Sequence, residues 1–344
     1  MFSDDYPAKI ALCLFGLAFS TSGVSGQSVQ SEVVATDRDA LVFSGVHGTV
    51  SQPSLITVWN RDLNESKSLI LHIAGEDATA FTSDISEVTL KPREAKTVSL
   101  RFAPAKNQLG PLHAICKIFN DDRTCAEVRL DGLSAVGVEG KREPPMSAIL
   151  ETVGYQVKTG WSGMHTHTRV ERVGEEIIGG RLRKANHGFV TITAIARYSP
   201  DFLLPYGYYL LGENSDSRDG LQLFTVGTLA LKTPTREEHN CLYPKQISGS
   251  MSFDPGDRSF GIFTASPSHI AYTEDRFNEA DKRHISHAAR IYPLRDRNGE
   301  RIENSLLVCF EEASNGDYQD YVFRIDNVVP DVKHSRLNSS VGFQ

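Results

Sequence analysis

The sequence predicts an all-β protein with two β-sandwich domains, the first immunoglobulin-like and the second jelly-roll-like, after a signal peptide. Residues 27–137 contain about seven short apolar segments, broken by Gly, Pro, Asn or Asp. A second series of such segments fills residues 148–330, where convincing helical periodicity is missing. Short strands at regular spacing, with turn residues between them, are typical of sandwiches and jelly rolls.

The N-terminus has the pattern of a signal peptide. Lys9 precedes the apolar run IALCLFGLAF, and the small residues STSGVSG follow it. The run is about ten residues long, whereas crossing a bilayer takes about twenty. We therefore expect residues 1–26 to be removed during export. The aspartates Asp4 and Asp5 leave a misassigned start or a short anchor as the alternative.

Charge and motifs exclude several functions. The net charge of −7 argues against a nucleic-acid partner, because phosphate binding needs a basic surface. The sequence has no G-x-S-x-G, no G-x-G-x-x-G, no G-K-[ST] and no C-x-x-C. A serine hydrolase elbow, a nucleotide loop and a zinc knuckle therefore have no support, and no catalytic residue is assigned. Beyond the signal, no segment is long and apolar enough to cross a membrane.

Alternation defines the strands of the first domain, residues 27–137. Leu69 and Leu71 alternate with Ile70 and His72, and the segment around Val98 repeats the pattern. A period of two places one side of a strand in the core and the other in solvent. These segments are therefore predicted to pair into an immunoglobulin-like sandwich.

Several motifs in this half occur in an order that marks a family. They are Asn60, Phe81, Pro92, the sequence Phe102-Ala103-Pro104, and the closing sequence Leu130-Asp131-Gly132. With them the half resembles the Hydin-type (ASH, PapD-like) immunoglobulin domain, often labelled a choice-of-anchor-type repeat in bacterial surface proteins. The resemblance implies a spacer or protein-binding module without catalysis. The loop WNRDLNESKS departs from the family, where a shorter loop is usual.

A linker and a second domain follow. Residues 138–147 are charged and include Pro144 and Pro145, which disfavour both helix and sheet, so they predict a linker. Residues 148–330 form the second sandwich. The polar tail, residues 331–344, is predicted to be disordered.

The second domain contains the segments ARYSPD, LPYGYY, YTEDRFN, HAARIYPLRDRNG and FEEASNGDYQDYVF in that order. They resemble β modules of planctomycete-type secreted proteins. The resemblance implies a secreted or cell-surface location and assigns no activity.

The last of these segments carries the strongest candidate site. The Asn-Gly pair at 315–316 predicts a hairpin turn, because both residues tolerate positive φ. The hairpin would bring together the ends of two strands and four carboxylates: Glu311, Glu312, Asp317 and Asp320.

Such an oxygen-rich set predicts calcium, which takes six to eight oxygen ligands. Glu274 and Asp275 form a second acidic set that could share the ion. An acidic hairpin in water is the alternative. A third possibility is a catalytic pair, Glu311 with Asp320, as in glycoside hydrolysis.

Cysteines and histidines complete the candidates. Cys116 and Cys125 flank a predicted hairpin, so they are the best disulfide pair if the protein is oxidised; buried thiols are the alternative. His165 and His167 are predicted to be exposed, and His287 to lie at the core edge.

Together these features predict a secreted or surface-associated, non-enzymatic binding or structural protein, stabilised by calcium, with an extracellular protein or glycan as its partner. The alternative is a secreted hydrolase of glycans or esters that uses the acidic residues of the second domain. The sequence identifies no ligand-binding residues.

Overall fold

Strands dominate the protein, as predicted. The computed structural model describes residues 33–121, 123–138, 140–161, 171–211, 217–230 and 241–331. Its one described α-helix is α1 (Met146–Thr152). The predicted signal peptide, His165, His167 and residues 332–344 of the predicted tail lie outside the described residues. Within the described residues, no helix has the length and apolar composition needed to span a bilayer.

Nine strands form the first sandwich. They are β1 (Val34–Thr36), β2 (Ala40–Val46), β3 (Ser54–Asn60), β4 (Lys67–Ala74), β5 (Phe81–Ser83), β6 (Glu87–Leu90), β7 (Ala95–Phe102), β8 (Gly110–Asn120) and β9 (Arg123–Ala135). One sheet has the order β1-β3-β7-β5 and the other β2-β9-β8-β4-β6. In β4, Leu69 and Leu71 are buried while Ile70 and His72 are exposed, so the predicted alternation is confirmed.

An aromatic cluster fills the centre of the first sandwich. Phe102 lies 5.1 Å from Phe81 and 6.1 Å from Phe43, measured between ring centroids. Gly132 in β9 lies directly beneath Phe102, and a Cβ there would come within 2.3 Å of the ring. The glycine of the Leu-Asp-Gly motif is therefore required by packing.

Twelve of the described strands form the second sandwich. They are β10 (Leu182–Lys184), β11 (Val190–Arg197), β12 (Leu204–Leu211), β13 (Leu221–Leu229), β14 (Gln246–Gly249), β15 (Ser252–Phe253), β16 (Phe260–Ala265), β17 (Ile270–Tyr272), β18 (Ala289–Arg295), β19 (Arg301–Phe310), β20 (Tyr321–Asp326) and β21 (Val328–Pro330). One sheet has the order β14-β13-β12-β16-β10-β21, with β17 on β16, and the other β15-β11-β20-β19-β18. The prediction of an all-β protein made of sandwiches is confirmed.

The segment between the sandwiches is ordered. Its residues form a 3-10 turn, Gly140–Arg142, and α1 begins at Met146, inside the stretch predicted to be a linker. Pro145 lies at the N-cap of α1, where its missing N–H costs no intrahelical hydrogen bond. Met146 and Ile149 are buried in a core that also includes Tyr292 of β18.

The predicted Cys116–Cys125 disulfide is not formed, because the four described cysteines are thiols. Across the β8–β9 hairpin, Cys116 pairs with Val128. Cys125 falls in a β-bulge instead, and its Sγ donates a hydrogen bond to the carbonyl oxygen of Ile118 at 3.1 Å. Cys116 and Cys125 are out of register across the hairpin, and they would not face each other even without the bulge.

Candidate metal centre

Three carboxylates converge in the loop that joins β19 to β20, residues 311–320. Glu311, Asp317 and Asp320 each offer an oxygen, and these oxygens all lie within 4.8 Å of one another. We call these residues the acidic trio. The β19–β20 register pairs Phe310 with Tyr321, so the loop begins and ends at one edge of the sheet.

The acidic trio is buried, which contradicts the alternative of a solvated acidic hairpin. Glu311, Asp317 and Asp320 are 1%, 4% and 7% exposed. The loop does turn at the predicted place, since Gly316 has a φ of 77° and Asn315 is exposed. After the turn the chain runs inward rather than along the surface.

Backbone hydrogen bonds organise the loop around Glu311. The Ala313 N–H donates to Glu311 Oε1 at 2.9 Å, and the Asp317 N–H donates to Oε2 at 2.9 Å. The Tyr318 N–H also reaches Oε2, at 3.3 Å. Tyr318 has a φ of 59°, a left-handed conformation that is unfavourable for a bulky residue. The chain adopts it at the point where it wraps around the carboxylate.

The two aspartates accept fewer hydrogen bonds. The Glu312 N–H donates to Asp320 Oδ2 at 2.6 Å, and Asn315 Nδ2 donates to Asp317 Oδ2 at 2.7 Å. Asp317 Oδ1 is buried without a hydrogen-bond partner, and so is Gln319 Oε1. A buried oxygen without a partner is costly, and a bound cation would satisfy it.

The electrostatics of the acidic trio disfavour three negative charges. Burial, followed by repulsion from Asp317, raises the pKa of Glu311 to about 7. Burial raises the pKa of Asp317, and burial with repulsion from Glu311 raises the pKa of Asp320 well above its usual range. Without a cation, protonation must relieve the repulsion; a divalent cation would relieve it with all three groups ionised.

The other predicted ligands do not join the acidic trio. Glu312 accepts a hydrogen bond from the Tyr321 hydroxyl, at the other side of the loop. Glu274 is held by Arg181, whose Nη2 lies 3.1 Å from Glu274 Oε2, and accepts a hydrogen bond from the Tyr209 hydroxyl at 3.2 Å.

Asp275, the last predicted ligand, belongs to a separate buried network around His287. His287 Nδ1 lies 2.9 Å from Asp275 Oδ1, and its Nε2 lies 2.8 Å from Glu176 Oε1. Glu176 also accepts a hydrogen bond from Arg290. Burial lowers the pKa of His287, but the hydrogen bonds that its ring donates to the carboxylates of Asp275 and Glu176 outweigh burial and raise the pKa to about 9.

His287 is therefore a buried imidazolium rather than the core-edge histidine that the sequence suggested. Its partners come from distant parts of the chain, so no local motif announces the network. The only local signal is that His287 and Arg290 lie three residues apart, just before and within β18. Glu176 is 111 residues away from His287.

Tyr318 joins the two networks. Its N–H contacts Glu311, as described above, and its hydroxyl donates to the carbonyl oxygen of His287 at 2.6 Å. The guanidinium carbon of Arg290 lies 4.6 Å from the centre of the Tyr318 ring, a cation–π distance. The loop that carries the acidic trio is thus tied to the His287 network through a fully buried side chain.

Gln319 ties the loop to the segment between the sandwiches. Its Nε2 donates to Glu143 Oε2 at 2.8 Å, and Glu143 Oε1 accepts from the Gly140 N–H at 2.6 Å. Both Gln319 and Glu143 are buried. The loop that carries the acidic trio is thereby fixed on both sides.

Comparison with known proteins adds information on architecture only. No protein-family model matches the sequence, and no match among curated proteins is found. The ASH/PapD-like domain of human CEP192 is similar to the chain with 14% identity and a TM-score of 0.24, covering 35% of this chain and 96% of its own.

Two bacterial chaperones are similar over more of the chain. The periplasmic chaperone SfaE has 10% identity and a TM-score of 0.28, covering 78% of this chain and 96% of its own. The chaperone CupB2 of Pseudomonas aeruginosa has 9% identity and a TM-score of 0.27, covering 78% and 97%. The likeness is a coarse one, of immunoglobulin-like, PapD-like β-sandwich architecture.

Proposed function

We propose that the protein is a non-enzymatic binding or structural protein, secreted or attached to the cell surface, in which the acidic trio binds one calcium ion. The observation that carries the proposal is the convergence of three buried carboxylates, one of which, Asp317, has a buried Oδ1 without a hydrogen-bond partner. The donor set is all oxygen, which favours a hard cation.

The tolerance of irregular geometry favours calcium over magnesium. Calcium accepts six to eight oxygens in flexible geometry, whereas magnesium demands a near-ideal octahedron. The trio offers three carboxylates whose oxygens lie within 4.8 Å of one another, and Gln319 Oε1 is a further buried oxygen of the same loop. We propose the trio as ligands and Gln319 as a supporting residue.

The role of the whole chain follows from the architecture and from the resemblances. The Hydin-type, choice-of-anchor-type motifs of the first sandwich support a spacer or protein-binding module. The second sandwich, with its resemblance to modules of secreted bacterial proteins, supports an extracellular site of action and an extracellular protein or glycan as the partner. Calcium would then keep the second sandwich rigid.

Calcium titration of the full chain tests the ion. Thermal unfolding is followed in chelator and at increasing free calcium, with magnesium as the comparison. At a hundred times the dissociation constant, binding should stabilise the fold by about 2.7 kcal/mol. Glu312→Gln is the matched control for variants of the acidic trio and should keep the calcium response, because the Glu312 side chain belongs to the same loop but accepts a hydrogen bond from Tyr321. A melting temperature that does not change with calcium concentration would refute calcium binding by the acidic trio.

The second candidate function is a secreted hydrolase, which the raised pKa of Glu311 favours. A carboxyl with a pKa of about 7 can act as a general acid beside an ionised partner. Burial of the acidic trio argues against it, since a substrate must reach the acid. Turnover of a glycan or ester panel that Glu311→Gln abolishes would establish the hydrolase instead.

A further inference from the structure

An asparagine–glycine peptide lies at the edge of the acidic trio. Asn315 is exposed, whereas Gly316 and the four residues after it are buried. Asn315 Nδ2 donates its hydrogen bond to Asp317 Oδ2 at 2.7 Å. One amide thus touches solvent and a buried carboxylate at the same time. Gly316 has no Cβ to obstruct the approach of its nitrogen to the Asn315 side chain.

We propose that Asn315 is a site of spontaneous deamidation and that the cation of the proposed function, on which this inference rests, controls its rate. The Gly316 backbone nitrogen attacks Asn315 Cγ and forms a succinimide. The Cγ–Nδ2 bond breaks, and Nδ2 leaves as ammonia with the proton lost by the Gly316 nitrogen. Water then opens the ring at either carbonyl, which yields aspartate or isoaspartate.

The acidic trio determines how often the loop can reach the reactive geometry. Attack requires Asn315 to release Asp317 and the turn to open. Without a cation, repulsion among the carboxylates favours such local opening. A cation that binds only the closed loop lowers the open population by the factor 1 + [L]/Kd, which is about tenfold at ten times the dissociation constant.

Deamidation alters both the charge and the backbone beside the acidic trio. A carboxylate at position 315 replaces an amide donor that faces Asp317 Oδ2 at 2.7 Å. Isoaspartate also adds a methylene to the backbone immediately before Gly316, whose φ is 77°. Cation affinity should therefore change once the reaction has occurred.

A second Asn-Gly pair in the chain serves as an internal control for Asn315. Asn298–Gly299 is a second Asn-Gly pair, in the turn between β18 and β19. Asn298 is exposed like Asn315, and Gly299 has a φ of 80°, close to the 77° of Gly316, although Gly299 is half-buried and Gly316 is buried. The Asn298 N–H donates to Asp296, outside the acidic trio. Global unfolding would expose both pairs, whereas calcium should protect only Asn315.

The experiment ages the full chain at mildly alkaline pH in chelator and in calcium at ten times its dissociation constant. Peptide mass spectrometry measures the exchange of amide NH₂ for OH at both asparagines. We expect Asn315 to convert in chelator and to convert about tenfold more slowly in calcium. The rate of conversion at Asn298 should be the same in both conditions. Asn315→Gln should abolish conversion at position 315.

Two outcomes would overturn the inference: an Asn315 that stays intact in chelator while Asn298 converts, or equal rates at Asn315 with and without calcium that binds. The absence of any calcium-dependent thermal shift is a different failure, since it refutes the proposed function. Calcium binding to Asn315→Asp, measured by the same titration, should differ in affinity from wild type. Equal affinity would show that deamidation has no effect on the site.

Discussion

The hydroxyl of Tyr318 donates a hydrogen bond to the carbonyl oxygen of His287, 2.6 Å away. Tyr318 is fully buried and belongs to the loop of the acidic trio, whereas His287 lies between Asp275 and Glu176. One side chain therefore connects the candidate ion site to a buried ion-pair network. Each network should respond when the other is altered.

Replacing Tyr318 with phenylalanine tests this connection. Tyr318→Phe removes the donor and leaves the buried His287 carbonyl unsatisfied, which should cost about 1–3 kcal/mol of unfolding free energy in urea. Tyr206→Phe is the matched control, because the Tyr206 hydroxyl donates to the Gln246 side chain, which is half-buried and can turn toward water. Equal losses for the two variants would contradict a special role for Tyr318.

The charge of Asp317 should destabilise the protein in the absence of calcium. Asp317→Asn removes that charge with little change of shape, and the repulsion that helps raise the pKa of Glu311 disappears with it. In chelator at neutral pH we expect a gain of about 1 kcal/mol, since one pKa unit corresponds to 1.36 kcal/mol. The calcium-dependent thermal shift should vanish in the same variant. A variant that loses stability in chelator and still responds to calcium would contradict the assignment.

The acidic trio also predicts a pH dependence for the calcium-free protein. Glu311 has a folded pKa of about 7 against a usual value of 4.5. A raised pKa contributes stability that is present below 4.5 and is lost as pH rises through 7. The free energy of unfolding, measured with denaturant in chelator, should therefore fall by about 3 kcal/mol between pH 4.5 and pH 7. Saturating calcium should remove this decline. An equal decline in saturating calcium would contradict the binding of calcium to the acidic trio.

Much of the fold was predictable because it depends on local pattern. Alternation at Leu69 and Leu71 places strands correctly, since a period of two needs only one buried side. The turn at Gly316 was also predictable from its neighbour Asn315. Three of the four carboxylates predicted to flank this turn converge, because the turn brings its two ends together.

The rest depends on packing that no local pattern encodes. Glu274 was predicted as a ligand, but its partner is Arg181, 93 residues earlier. Burial of the acidic trio could not be predicted either, because an Asn-Gly turn usually points outward. Here the buried Tyr318 side chain, which donates a hydrogen bond to the carbonyl oxygen of His287, holds the loop against the core. The bulge at Cys125 likewise depends on the register of one hairpin.

The imidazolium of His287 predicts a loss of stability at alkaline pH. Its folded pKa of about 9 lies above the usual 6.5, so the stabilisation is complete below 6.5 and is lost as pH rises through 9. In saturating calcium, the free energy of unfolding should fall by about 3 kcal/mol over this window. His287→Gln should flatten the profile and lower stability at neutral pH, because Glu176 and Asp275 lose their shared partner. His113→Gln is the matched control. The pKa of His113 is raised too, by its hydrogen bond to Asp131, but the ring is 39% exposed, so this variant should keep most of the alkaline decline. A wild-type profile that stays level from pH 6.5 to 9 would contradict the buried charge.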